Sequence, residues 1–219
     1  MTSQVVVVDY GVGNLRSVTR AVAHCGFEPL LTPDPQQIDA CERMILPGVG
    51  AFGNCINALR ARGLVEPVLR VMESGRPVLG ICVGMQMLLE SSDEFGQHEG
   101  LKRVAGRVTA VTPVGANGKP HKIPHIGWTG LAPDTQEWSG TIFDGIAEGA
   151  ACYFVHSFVA VPADPANVLA VADYNGLKLC AAVRAGNTYG VQFHPEKSGA
   201  VGLHILANFL KLPSRKVNA

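Results

Sequence analysis

Four consecutive valines, Val5-Val6-Val7-Val8, stand near the start of the chain, and a second unbroken apolar run, Val78-Leu79-Gly80-Ile81, follows later. A strand without polar alternation offers no face to water, so each run belongs inside a parallel sheet covered on both sides by helices. The intervening segments agree. Asn14 can cap a helix in which Leu15, Val18, Ala21, Val22 and Cys25 share one face, and Gly26 stops it. Further strands are expected near residues 27–31 and 44–46, and helical stretches at about 52–61 and 65–74. Strands alternating with helices of this length make βαβ units, hence an α/β fold with a mostly parallel central sheet and flanking helices.

The pattern changes between about residues 104 and 191. Short β-rich runs at 108–111, 153–161, 168–172 and 179–183 are broken by Pro and Gly, which reads as an antiparallel extension of the sheet with long loops. Residues 112–149 carry the weakest pattern. A closing helix at roughly 201–210 presents Leu203, Leu206, Ala207 and Leu210. Without an internal repeat or a linker, residues 1–219 are expected to form a single domain.

Composition narrows the function classes. The chain is 47% hydrophobic, too apolar for bulk disorder. Its 18 Lys+Arg balance 18 Asp+Glu, so the net charge offers no footprint for nucleic acid or an anionic membrane. No stretch approaches the roughly 20 apolar residues of a membrane span. Cys25, Cys41, Cys55, Cys82, Cys152 and Cys180 are scattered, without a C-x-x-C pair. Thiols so placed, behind a start (Thr2-Ser3-Gln4) without signal-peptide character, point to a reducing compartment, most simply the cytoplasm.

Three segments can carry chemistry. In Gly80-Ile81-Cys82-Val83-Gly84 a cysteine sits between two glycines where a buried strand turns into a helix, the pattern of a nucleophile elbow. A thiolate there meets free N–H groups at a helix start, and the Val83 N–H points to where an oxyanion forms. In Gln192-Phe193-His194-Pro195-Glu196 a strand ends on a histidine with a carboxylate two residues on, an arrangement for a base and its orienting partner. Pro47-Gly48-Val49-Gly50 is a glycine-rich loop after a strand, able to turn a second N–H toward an oxyanion. Taken singly, each also has an ordinary reading: a small core cysteine, a structural histidine, a βα turn. Two other signals fail. Gly11-Val12-Gly13-Asn14-Leu15-Arg16 has Arg16 where a dinucleotide fingerprint needs a small residue, and Pro124 and Gly127 make a helical metal pair of His121 and His125 untenable.

Together, Asp9-Tyr10-Gly11-Val12-Gly13-Asn14, the Pro47 loop, the Cys82 elbow, Ile123-Pro124-His125-Ile126-Gly127-Trp128, Tyr153-Phe154-Val155-His156-Ser157 and the His194 segment resemble the class I (triad) glutamine amidotransferases. Within these the chain looks like the glutaminase subunits of imidazole glycerol phosphate synthases, from histidine biosynthesis. The resemblance implies a flavodoxin-like sheet and a glutaminase whose triad is Cys82, His194 and Glu196. It further implies an oxyanion hole from Val83 and Val49, and L-glutamine bound by Gly50, Gln86, Glu94 and Ser157. No metal and no cofactor are implied. Ammonia would pass to a (β/α)8 cyclase subunit in a heterodimer, met by Asn14, Ile126, Trp128, Tyr153 and Lys197. Thr129 and Phe158 depart from residues common in that family, which bears on the partner surface but not on the triad. Three alternatives stay open: a paralogous glutaminase feeding a sugar- or glycan-modifying partner, a non-catalytic regulatory subunit of the same fold, and a stand-alone cysteine hydrolase.

Overall fold

A computed structural model describes residues 4–214; the reading of Thr2 and Ser3 lies outside them. The first half alternates as expected: β1 (Gln4–Val8), α1 (Leu15–His24), β2 (Glu28–Thr32), α2 (Pro35–Asp39), β3 (Met44–Gly48), α3 (Phe52–Ala61), α4 (Val65–Glu73), β4 (Val78–Cys82) and a single helical turn, α5 (Val83–Gln86). Strands then dominate: β5 (Leu89–Ser92), β6 (His98–Glu99), β7 (Val104–Ala110), β8 (His125–Ala132), β9 (Ala151–His156), β10 (Phe158–Pro162), β11 (Val168–Tyr174), β12 (Leu177–Ala185) and β13 (Thr188–Val191). Helix α6 (Gly199–Lys211) closes the order.

Nine strands form the main sheet in the order β2-β1-β3-β4-β13-β12-β11-β8-β9. The first five run parallel, and β12, β11, β8 and β9 extend the sheet antiparallel. Val5 to Val8 are fully buried, as are most residues of β3 and β4, so the unbroken apolar runs do lie between two helical layers. Residues Val18, Ala21 and Val22 are the buried face of α1, and Gly26 follows with φ of +84°, a conformation that suits a residue without Cβ.

Several elements differ from the sequence reading. A separate four-stranded sheet, β10-β7-β5-β6, packs beside the main one. The apolar run 153–161 is split at Ser157, whose carbonyl is taken by Val111 N–H; β9 before it pairs with β8 and β10 after it with β7. Periodicity cannot register such a split, because the apolar pattern is alike on both sheets and only the hydrogen-bond partner changes. Helix α2 was not foreseen, although Asp34, which accepts from Gln36 N–H, and Pro35 are an ordinary helix start. Asn14 does not cap α1 with its side chain; its Nδ2 lies 3.5 Å from Glu196 Oε1 instead. Tertiary contact outcompetes the local bond there.

Candidate active site

Strand β4 delivers Cys82 to the carboxyl edge of the parallel strands, and the chain reverses at that residue with φ of 54° and ψ of −112°. A non-glycine residue rarely adopts such a backbone, and it survives only where packing leaves no alternative. Glycines supply that packing. A Cβ on Gly84 would stand 1.9 Å from the Leu46 carbonyl oxygen, and one on Gly80 would stand 2.7 Å from the Gly84 backbone. Only bare backbone lets β3, β4 and the turn of α5 approach this closely, which is the physical content of the glycines flanking the elbow.

Strand β13 runs parallel beside β4, with Gly190 opposite Gly80, and so reaches the same edge. The loop beyond it is stapled down: His194 N–H donates to the Tyr153 carbonyl at 3.0 Å, and the Ser198 hydroxyl donates to the His194 carbonyl at 2.7 Å. The His194 Nδ1 is 2.9 Å from Glu196 Oε1, with both side chains almost wholly buried. Burial by itself would lower the imidazole pKa; hydrogen bonding to Cys82 and Glu196 outweighs it and pushes the group up to about 9. A cationic imidazole against sulfur is the arrangement that favours thiolate over thiol. Nδ1 being committed to the carboxylate leaves Nε2 for proton transfer.

These groups open into a cleft of about 290 Å³ whose lining includes Val49, Gly50, Cys82, Val83, Gln86, Glu94, Ser157, His194 and Lys197. Every residue expected to hold the oxyanion or to bind glutamine therefore shares one cavity with Cys82 and His194, while Glu196 is outside its lining and meets it through His194. The loop over it is pinned on either side of the Gly48–Val49 peptide. Tyr10 OH donates to the Pro47 carbonyl, and Cys55 Sγ to the Val49 carbonyl at 3.3 Å. Burial pushes the Cys55 thiol up to about 11, which keeps it a donor. Glu94 is not free for a ligand with both oxygens, since Oε2 accepts from Phe52 N–H at 2.6 Å. Gly50, at φ of +85°, is exposed at the rim.

Ile126 and Trp128 are each 58% exposed on β8, which removes core packing as the account of Trp128. Trp128 faces Tyr153 across the β8–β9 ladder, ring centroids 6.1 Å apart, and Lys197 Nζ sits 5.9 Å from the Tyr153 ring. Asn14 joins this side through Glu196. His121 and His125 bind no common centre: His125 is turned inward on β8 toward His156 and Thr129. Among the described residues no group of three His, Cys, Asp or Glu is placed to hold a metal ion. Sequence reasoning gave no role to the side chains of His125, His156 and Gln192. Their one signal was polar residues at inward positions of otherwise apolar strands.

A family model described as glutamine amidotransferase class-I matches residues 6–212. The chain belongs to the class-I glutamine amidotransferases. Among similar proteins is the imidazole glycerol phosphate synthase subunit HisH 1 of Legionella pneumophila (strain Paris), 47% identical over 96% of this amidotransferase and 100% of that protein. The HisH subunits of Syntrophotalea carbinolica and Geobacter sulfurreducens are 47% and 45% identical, each over 94% of this chain and 98% of its own. Among solved structures, PurLQS from Thermotoga maritima superposes with a TM-score of 0.71 over 96% of the amidotransferase and 98% of the matched chain, at 24% identity. At that identity the likeness establishes the fold alone: an α/β sheet with flanking helices, as the sequence pattern implied.

Proposed function

We propose that this amidotransferase is the glutamine-hydrolysing subunit of an imidazole glycerol phosphate synthase, serving histidine biosynthesis. The observation that carries the reading is the meeting of Cys82 with a His194 held by Glu196 in a cleft lined by Gln86 and Glu94. The near-full-length likeness to HisH subunits supports the pathway. Cys82 sulfur attacks the glutamine side-chain carbonyl carbon, forming a C–S bond and an oxyanion that Val83 N–H and Val49 N–H receive. Collapse breaks the C–N bond, and His194 gives its proton to the departing ammonia. Water then attacks the thioester while His194 takes its proton; glutamate leaves and the Cys82 sulfur is restored.

The ammonia goes to a (β/α)8 cyclase subunit in a heterodimer. Exposed Ile126 and Trp128, with Tyr153, Lys197 and Asn14, are the proposed docking face. Aromatic anchors beside a site are the usual makings of an interface core. No helix among the described residues is long and apolar enough to cross a membrane, and all six cysteines are free; the cytoplasm is the proposed setting. The test is glutamate release from glutamine by the chain alone and with its cyclase subunit and that subunit's substrate. Release should rise strongly with the partner and vanish in Cys82→Ala, by at least about a thousandfold. Release indifferent to the cyclase subunit would sink the pathway assignment, and release by Cys82→Ala the nucleophile.

A further inference from the structure

A main-chain carbonyl only accepts hydrogen bonds, and one such group behind the cleft sets the polarity of everything attached to it. The Phe158 oxygen lies 2.9 Å from His156 Nδ1 and 3.1 Å from the end of the Gln86 amide. Both neighbours have to be donors, so Gln86 presents its NH2 group. That same nitrogen lies 3.0 Å from the side chain of Gln192, which has to meet it with an oxygen. With Oε1 committed, Gln192 has only its NH2 left for its other neighbour, and that neighbour is Cys82 Sγ at 3.7 Å. Turning either amide over would set donor against donor or acceptor against acceptor. Gln192 is fully buried and Gln86 3% exposed, so no solvent would relieve the mismatch.

The other arm from Phe158 agrees. His156 donates through Nδ1, so its Nε2 is bare and accepts from His125 Nδ1 at 3.0 Å. His125 Nε2 in turn accepts from the Thr129 hydroxyl at 2.8 Å. With both rings neutral the chain of bonds closes in this one sense, each imidazole donating through Nδ1 and accepting through Nε2. Burial depresses both, His156 to about 4 and His125 below its ordinary value.

We propose that Gln192 is a catalytic residue of the glutaminase, its side-chain N–H donating to the Cys82 sulfur in an orientation dictated by the Phe158 carbonyl. The proposal rests on Cys82 being the nucleophile. Gln192 comes from the same segment as His194, two residues before it, and its own N–H is anchored to the Ala181 carbonyl at 2.8 Å. The sulfur is thus approached by two donors from one rigid extension of β13. A donor there stabilises negative sulfur twice: when the thiol is activated, and when the thioester breaks and sulfur leaves. The titratable groups around the sulfur are His194 and, beside the Pro47 loop, Cys55 and Tyr10, none of which Gln192 touches among its bonds given above.

The experiment compares wild type, Gln192→Met, which fills the space without a donor, and Gln192→Glu, which keeps the shape. Two readouts are taken on the full chain: glutamate release with the cyclase subunit present, and the pH profile of Cys82 alkylation by iodoacetamide, followed by mass spectrometry of the Cys82 peptide. Loss of a donor to a charged atom should lower kcat about tenfold or more in both variants and move the alkylation profile to higher pH. An unchanged kcat overturns the proposal. So does a lower kcat with an unmoved profile, because Gln192 would then act only by supporting Gln86. Thermal unfolding of Gln192→Met shows whether the comparison is between folded proteins, and Gln192→Glu provides the second chance if it is not. A Cys82→Ala control that still released glutamate would overturn the nucleophile reading itself, a distinguishable failure.

Discussion

At the scale of single residues, the site works by giving two histidines that line one cleft opposite fates. His194 gains a carboxylate and a sulfur and is raised to about 9, while burial, helped by repulsion from the His125 and His194 imidazoles, lowers His156 to about 4. Their effects on stability have opposite signs. The His194 contribution is complete below the unfolded value of about 6.5 and disappears as pH rises through about 9. Urea-midpoint differences between wild type and His194→Gln should therefore shrink over that window. For His156 the unfolded chain takes the proton first, so stability falls as pH drops from about 6.5 toward 4. His156→Asn should lose this acid slope, and an unchanged slope would place the acid sensitivity elsewhere. In the proposed mechanism Glu196 orients rather than transfers, so Glu196→Gln should cost roughly tenfold to a hundredfold less kcat than His194→Ala; equal losses would contradict that division. Cys82, His194 and Glu196 were legible because two short motifs hold them. The Gln86–Gln192–Cys82 chain was not, since its members come from α5, the segment after β13, and β4 and meet only across the folded sheet.

Elements show a similar division between local pattern and contact. Strands β1 and β4 and helices α3 and α4 follow from apolar runs and 3.6-residue periodicity, and their observed bounds lie within a residue or two of the sequence reading. The second sheet was not foreseeable from periodicity, since β10 and β9 differ only in which strand each pairs with. The tightest constraint at this scale is the β3–β4–α5 junction. Gly84→Ala would press a methyl against the Leu46 carbonyl, and rearrangement there should destabilise by at least about 2 kcal/mol. In a chain of this length that lowers the melting temperature by roughly 4–8 °C. A melting curve overlapping wild type would mean that the elbow has room the geometry does not show.

For the whole molecule, the antiparallel half of the sheet does more than cap the parallel half. Strand β9 anchors the His194 loop through the Tyr153 carbonyl, and the neighbouring strand β8 exposes Trp128 on the same flank, so the proposed docking face borders the His194 loop. Trp128→Ala should leave stability within about 0.5 kcal/mol of wild type, as an exposed site, yet weaken partner-stimulated glutamate release. Unaltered stimulation would move the docking face elsewhere. The sequence by itself determined the parallel α/β core, the strained cysteine at its edge and the histidine–glutamate pair, because each depends on residues within a few positions of one another or on a repeating apolar pattern. Tertiary structure alone decided that Asn14 turns from its helix to Glu196, that residues 153–161 serve two sheets, and that one carbonyl at Phe158 orients the side chains behind the sulfur. Those choices depend on which donors and acceptors are brought together when distant segments are buried, and no local pattern records that competition.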